Sequence, residues 1–317
     1  MSKVEIDMLE VHVANSCNLF CNGCGHFSNY KLPGVFPAEE LRNWSMPWTE
    51  RILPKEMCLL GGEPLINPEC VEILKDHSKL WPSTSIMFFT NGLLLHKWIN
   101  TDLFRTLVDN DITLVVSNHT TLNSDHYDGK MKDVMAFVKK MHKKFDFKYE
   151  ISFTAYTKKE AENGTTYIDE NLPLDKGSIT DVKNAWLDSK EKKGTFSTWM
   201  PFKKKPFNTG DPQASWWYTC GRRDMQCWQL YKQEIYPCSI LAYLPDLDRK
   251  VGLGKEWDFY LQYQPLQPYC SDEDLQKFLI PGPCAQCEMC PKSDYEPQIK
   301  EGNPLIYEPF YNDIRQA

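Results

Sequence analysis

The sequence predicts an α/β fold, an incomplete (β/α) barrel followed by a small cysteine-rich β-hairpin module. Three observations carry this expectation. Apolar strand-like segments alternate with amphipathic helix-like segments up to residue 157. About five strand-then-helix units follow one another there, which implies a parallel sheet with right-handed crossovers. From residue 220 onward the chain turns short-looped, aromatic and cysteine-rich.

Taken in order, residues 9–14 (LEVHVA) read as a strand that runs into the first cysteine group. Residues 37–44 open with Pro and two acids, as a helix start does. Residues 57–60 form an apolar strand that stops at Gly61 and Gly62. Asn67 caps a helix through Leu80, with Val71, Leu74 and His77 or Ser78 on one side. Residues 85–90 make a third strand, 101–108 a helix and 112–117 a fourth strand. Met131, Val134, Met135, Val138, Met141 and Phe145 recur at helical spacing, the methionines as core filler. Residues 148–156 return to strand alternation. Residues 158–215 are polar and irregular, with a helix at 180–188 and no assigned role. The expected division is a core at 1–215 and a module with tail at 216–317.

Charge and composition narrow the function. Lys and Arg number 36 against 43 Asp and Glu, a net −7, which gives no reason to expect nucleic acid or a membrane surface as partner. The run Lys203, Lys204, Lys205 reads as a solvated loop. No stretch reaches the roughly 18 apolar residues of a membrane span, and the N-terminus lacks a signal-peptide pattern. A cytoplasmic location is therefore expected. In that reducing compartment twelve cysteines point to metal ligands or catalysts rather than disulfides. Three of them lie within 17–24 and seven between 220 and 290.

Cys17, Cys21 and Cys24 share one compact loop. Three such thiolates can bind three irons of a [4Fe–4S] cubane, or with His26 can form a Cys3His zinc site. Gly61-Gly62-Glu63-Pro64 follows the second strand, Thr90-Asn91-Gly92 the third and Ser117-Asn118 the fourth. All four segments fall at carboxyl strand ends, where α/β sheets hold their chemistry.

These motifs resemble those of the radical S-adenosylmethionine (SAM) superfamily, over residues 9–157. The resemblance implies a partial (β/α)6-type TIM barrel in which Cys17, Cys21 and Cys24 hold a [4Fe–4S] cluster. The iron without a protein ligand would chelate SAM through its amino and carboxylate groups. Gly61, Gly62 and Glu63 would hold the SAM amino group, with Pro64, Thr90, Asn91, Ser117 and Asn118 completing the site. Reductive cleavage of SAM would yield a 5′-deoxyadenosyl radical that removes a hydrogen atom from a substrate carbon. A flavodoxin or ferredoxin would supply the electron. One departure stands out: the family has an aromatic residue before the third cysteine, where this chain has Gly23, leaving His26 or Phe27 as stand-ins.

Residues 228–237 read as two short strands about a turn at Lys232 and Gln233. Cys220 and Cys238 flank them, and Cys284 and Cys287 add two thiolates, a set that suits a closed [4Fe–4S] or zinc site. Residues 216–292 resemble the twitch module of some radical SAM enzymes, a shortened SPASM domain. The resemblance implies that Cys220, Cys238, Cys284 and Cys287 hold an auxiliary [4Fe–4S] cluster, with Cys290 as substitute for one of them. Gln233 stands where that module has Gly. Cys58 and Cys70 are expected to be buried and inert. Radical epimerases of these families return a hydrogen atom from a thiol, and Cys227 and Cys270 are the candidates here.

The resemblance implies a radical SAM enzyme that oxidises or epimerises a small polar, sugar-like molecule. Modification of a peptide or protein side chain is the alternative. A first strand near residue 9 leaves no room for a leader-binding domain and counts against it. A non-enzymatic zinc or iron–sulfur protein is the third reading.

Overall fold

The computed structural model describes residues 3–19, 24–118, 125–153, 226–280 and 282–289. Strands β1 (Val4–His12), β2 (Ile52–Leu60), β3 (Ser85–Thr90), β4 (Thr113–Asn118) and β5 (Tyr149–Phe153) alternate with four helices. These are α1 (Ala38–Ser45), α2 (Cys70–Leu80), α3 (Leu103–Asp109) and α4 (Asp125–Phe145). A hairpin of β6 (Cys227–Tyr231) and β7 (Glu234–Tyr236) leads into α5 (Ser239–Val251), α6 (Asp258–Leu261) and α7 (Asp272–Phe278).

The sheet order is β5-β4-β3-β2-β1-β6-β7, parallel except for β6 against β7. From β1 to β5 each strand lies beside its predecessor. Successive right-handed crossovers in one direction put every helix on the same face, which is how a barrel wall is built. Among the described residues the sheet is not closed, so the architecture is the partial barrel that the sequence predicts.

Side-chain alternation sorts the two faces. Leu9, Val11, Met57, Leu59, Ile86, Phe88, Leu114 and Val116 are buried in the main core with Leu41, Ile73, Leu74, Phe104 and Leu107 of the helices. The alternate residues form the inner face. There Glu10 pairs in register with Cys58 and with Gln229, Cys58 with Met87, and Met87 with Thr113.

The hairpin that the sequence assigns to the C-terminal module is hydrogen-bonded into this sheet, with β6 parallel to β1. At its turn Lys232 and Gln233 have φ of 50° and 71°, left-handed backbone that normally calls for glycine. Tertiary contacts hold it: Trp48 Nε1 donates to the Gln233 carbonyl at 2.8 Å, and Lys232 pairs with Asp246 at 3.1 Å.

Two elements are longer than the sequence suggests. β2 starts at Ile52 although Pro54 cannot donate to a ladder. Its neighbour β3 reaches only Ser85 opposite Glu56, so Pro54 sits where that side of β2 is unpaired. β1 starts at Val4 because it pairs with this extension. Asn67 caps the turn before α2: its Oδ1 accepts from Glu69 N at 3.0 Å, and its amide donates to Val13 O at 3.0 Å and Phe36 O at 2.8 Å. The helix expected at 180–188 lies outside the described residues. No helix among the described residues is long and apolar enough to cross a membrane.

Candidate functional site

Beyond β1 the chain enters the first cysteine loop. Val13 N donates to Leu60 O at 2.7 Å, Gly62 N to Ala14 O at 2.6 Å and Glu63 N to Ser16 O at 2.9 Å. The two glycines are what allow this ladder to continue past the strand ends. A Cβ on Gly61 would lie 2.5 Å from Ala14 O, and one on Gly62 would lie 2.2 Å from Ser16 O. Close backbone approach, expected toward a ligand, is thus seen toward the cysteine loop itself.

Glu63 joins the third motif to this pair. Its Oε1 accepts from Thr90 Oγ1 at 2.6 Å and Leu65 N at 3.0 Å, and its Oε2 from Asn91 N at 2.8 Å. The carboxylate is 1% exposed; burial pushes its pKa up to about 7 against the pull of those three donors. Asn91 Nδ2 in turn donates to Asn18 Oδ1 at 2.7 Å, next to Cys17. Gly92, at φ 77°, makes the turn that follows. Pro64 opens a short 3-10 turn and is buried. Ser117 ends the inner face of β4 half-buried; Asn118 closes that strand, its side chain outside the described residues.

Cys17 and Cys24 flank the loop, and Cys21 lies outside the described residues. Burial, then Glu63, raises the Cys17 thiol. Burial is the largest influence on Cys24 and acts to raise it, but the hydrogen bond and charge of His26, with the backbone N–H groups of His26 and Ser28, together lower it. His26 therefore engages a cysteine of the loop. Phe27 is fully buried in the core at φ 56°.

Orphaned polar atoms gather at this loop. His12 is fully buried with neither ring nitrogen in a hydrogen bond of normal geometry, and His26 Nε2 and Ser28 Oγ are likewise buried without a partner. Buried polar atoms are ordinarily satisfied. Thiol donors, unpaired polar atoms and a loop braced on both sides fit an iron–sulfur cluster with SAM beside it.

In this setting two relatives are informative. GTP 3',8-cyclase of Microcystis aeruginosa is 30% identical over 102 residues, 29% of this chain and 29% of that protein. GTP 3',8-cyclase of Rhodopirellula baltica is 28% identical over 93 residues, 28% of this chain and 26% of that protein. Over that stretch these matches support the resemblance of the chain to the radical SAM superfamily. The match covers less than a third of those curated relatives' length. No protein-family model matches the chain. Among solved structures, the chain is similar to Streptococcus suis SuiB bound to S-adenosylmethionine. The TM-score is 0.46 at 15% identity, over 89% of this chain and 71% of that one. It is also similar to BtrN in complex with AdoMet and 2-DOIA, with TM-score 0.39 at 14% identity, over 92% and 93% of the two chains.

The other cysteines divide cleanly. Cys284 Sγ lies 3.4 Å from Cys287 Sγ, and the Cys287 thiol is raised by Cys284 first, then by burial and Cys238. Cys284 and Cys287 of the predicted second group are therefore neighbours, Cys238 acts on Cys287 through its charge, and Cys220 and Cys290 lie outside the described residues. Among the described residues, Cys238, Cys284 and Cys287 included, no three metal-binding side chains form a group that could hold a metal ion. Cys227 is buried on the inner face, within 3.8 Å of Gln229 Nε2, and its thiol is held well above the ordinary range by burial and then by Glu10. Cys270 is elsewhere: Arg51, preceding β2, donates to its sulfur at 3.3 Å, at the end of the sheet opposite the cysteine loop.

Sequence reading missed Glu10, Cys58, Gln229 and Tyr243. Cys58 is buried beside Glu10 on the inner face, not in the helix-covered core. Gln229 is tied to Glu10 through its amide nitrogen and accepts from Tyr243 Oη through its amide oxygen at 2.9 Å. The alternation Glu10, His12 along β1 was the available signal, polar residues where a doubly covered strand should be apolar.

Proposed function

We propose that the chain is a radical SAM enzyme that epimerises a carbon centre of a small polar molecule, with Cys227 as hydrogen-atom donor. The observation that carries this reading is a buried thiol, kept protonated, on the inner face of the barrel. A donor must retain its S–H hydrogen, and burial beside Glu10 favours that form over the thiolate.

Cys17, Cys21 and Cys24 would hold the first [4Fe–4S] cluster, and the loop ends at Gly61–Pro64, Thr90, Asn91, Ser117 and Asn118 would seat SAM. When bound, that pair supplies hydrogen-atom abstraction from the substrate. Glu63 braces the seat by locking the second loop to the third. Cys227 then gives its hydrogen to the substrate carbon: a C–H bond forms, the S–H bond breaks, and a thiyl remains on Sγ. One electron and one proton restore the thiol, the electron coming from a one-electron donor of the flavodoxin or ferredoxin class.

A second reading, two-electron oxidation, is favoured by one observation. Cys238 is close enough to influence both Cys227 and Cys287. With Cys220, Cys284 and Cys287, or Cys290 in place of one, it would hold an auxiliary [4Fe–4S] cluster able to accept an electron from the substrate. A peptide side chain as substrate is compatible with either chemistry.

The test is anaerobic reconstitution, iron counting and assay of 5′-deoxyadenosine with SAM and a strong reductant. About eight irons per chain, falling to about four when Cys17, Cys21 and Cys24 become Ala, are expected, with 5′-deoxyadenosine lost. Zinc in place of iron and no SAM cleavage would refute the reading. Turnover in D2O separates the two chemistries, since a thiol donor places solvent deuterium on the inverted carbon and oxidation does not.

A further inference from the structure

The inner face of β1 carries a carboxylate, Glu10, that the scheme above uses only as a neighbour of Cys227. Glu10 is half-buried, whereas the groups behind it are closed off: Gln229 and Tyr243 are each 1% exposed. Tyr243 Oη donates to Gln229 Oε1 at 2.9 Å, which fixes the amide so that its Nε2 faces Glu10 Oε2. The carboxyl group is thus met from the protein side by Gln229 and the Cys227 thiol, and it keeps part of its surface exposed, where a further donor can reach it.

The surroundings define that donor's charge. Register places Glu10, Glu56, Cys58, Met87, Thr113, Glu150, Cys227 and Gln229 on this face. From β1 to β6 the face presents three carboxylates and neither Lys nor Arg among these described positions. His12, two residues along the same strand, links this face to the cysteine loop. It is fully buried, its ring 4.2 Å from that of Tyr243, with neither nitrogen in a hydrogen bond of normal geometry.

We propose that Glu10, braced by Gln229 and Tyr243, is the specificity-determining residue that binds a protonated amino group of the substrate. This rests on the reading of the chain as a radical SAM enzyme and adds the substrate's class: an amine-bearing polar molecule. The position explains why the anchor lies here. Gln229 Nε2 touches both Glu10 and, at 3.8 Å, Cys227 Sγ, so an amine held by Glu10 brings its neighbouring carbons to the thiol. Cys58, directly beside Glu10 in register, would line the other side.

The experiment uses the reconstituted full chain with SAM and two matched pairs, glucosamine against N-acetylglucosamine and 2-deoxystreptamine against its di-N-acetyl form. Binding is read by calorimetry and by shift of the melting temperature. At least one free amine should bind the wild type while its acetylated partner binds roughly tenfold or more weakly, and Glu10→Gln should lose that difference. Gln229→Leu, which leaves Glu10 unbraced, should weaken the amine without creating affinity for the acetylated form. Iron content and melting temperature without probe show whether each variant is folded; Glu10→Asp replaces Glu10→Gln if the latter is not. Equal binding of acetylated and free forms, a preference that survives Glu10→Gln, or no binding by any of the four overturns the proposal. Its failure is distinct from failure of the radical SAM reading, which is scored separately by 5′-deoxyadenosine formation in the wild type without probe.

Discussion

Glu63 Oε2 accepts the backbone N–H of Asn91 at 2.8 Å, a bond that crosses from the loop after β2 to the loop after β3. With Thr90 Oγ1 on the other oxygen, one buried carboxylate sets the spacing of two motifs that sequence alone treats as separate.

That carboxylate should make stability depend on pH. Its value rises from an ordinary 4.5 to about 7 on folding. Between the two, the folded state holds more protons than the unfolded state, so stability falls as pH rises through this window and levels off above it. The full span is about 3 kcal/mol. Urea midpoints at pH 5, 6, 7 and 8 should decline in the wild type and stay flatter in Glu63→Gln; parallel curves would sink the assignment.

Gly62→Ala should damage the first cysteine site from a distance. Its added methyl would meet Ser16 O at 2.2 Å, backbone against backbone, with no flexible side chain to give way. A loss of about 1–3 kcal/mol is expected from overpacking, together with reduced iron loading at the first site. Unchanged iron content and melting temperature would show that the loop tolerates displacement.

At the hairpin turn, Gln233→Gly should stabilise. The left-handed backbone costs a side chain roughly 1 kcal/mol, and the bond Gln233 makes to Asn43 O is exposed. Differential scanning calorimetry should show a rise of about 2 °C. A fall would mean that the Gln233 side chain contributes more than its backbone conformation costs.

The two thiol candidates make opposite predictions. Cys227→Ala should abolish product while 5′-deoxyadenosine still forms, uncoupled from turnover. Cys270→Ala should leave product formation intact, because Arg51 holds that sulfur at the far end of the sheet. Loss of product in Cys270→Ala alone would reverse the assignment.

The alternation of strands and helices was legible because each element carries its own period: Ser85–Thr90 was placed to the residue. So were the three loop motifs at the strand ends. What stayed hidden were contacts with no local signature. Nothing near Glu10 announces Gln229, which lies 219 residues on, and Cys58 reads as core filler until register puts it beside a carboxylate. The extension of β2 through Pro54 was equally invisible, since it depends on where β3 ends. The glycines of the second motif were found, but their tight neighbour, the backbone of Ala14 and Ser16, belongs to another loop.

The pairing of β1 with β6 also bears on how the chain is made. β1 has one neighbour in the first half of the sequence, β2; the other arrives only with residues 227–231. Until the ribosome has passed that point, the strand leading to Cys17 carries an uncovered edge of N–H and C=O groups, the kind of surface on which chains join one another. The hairpin is the cover for that edge. Truncation before it should therefore yield aggregates seeded at β1.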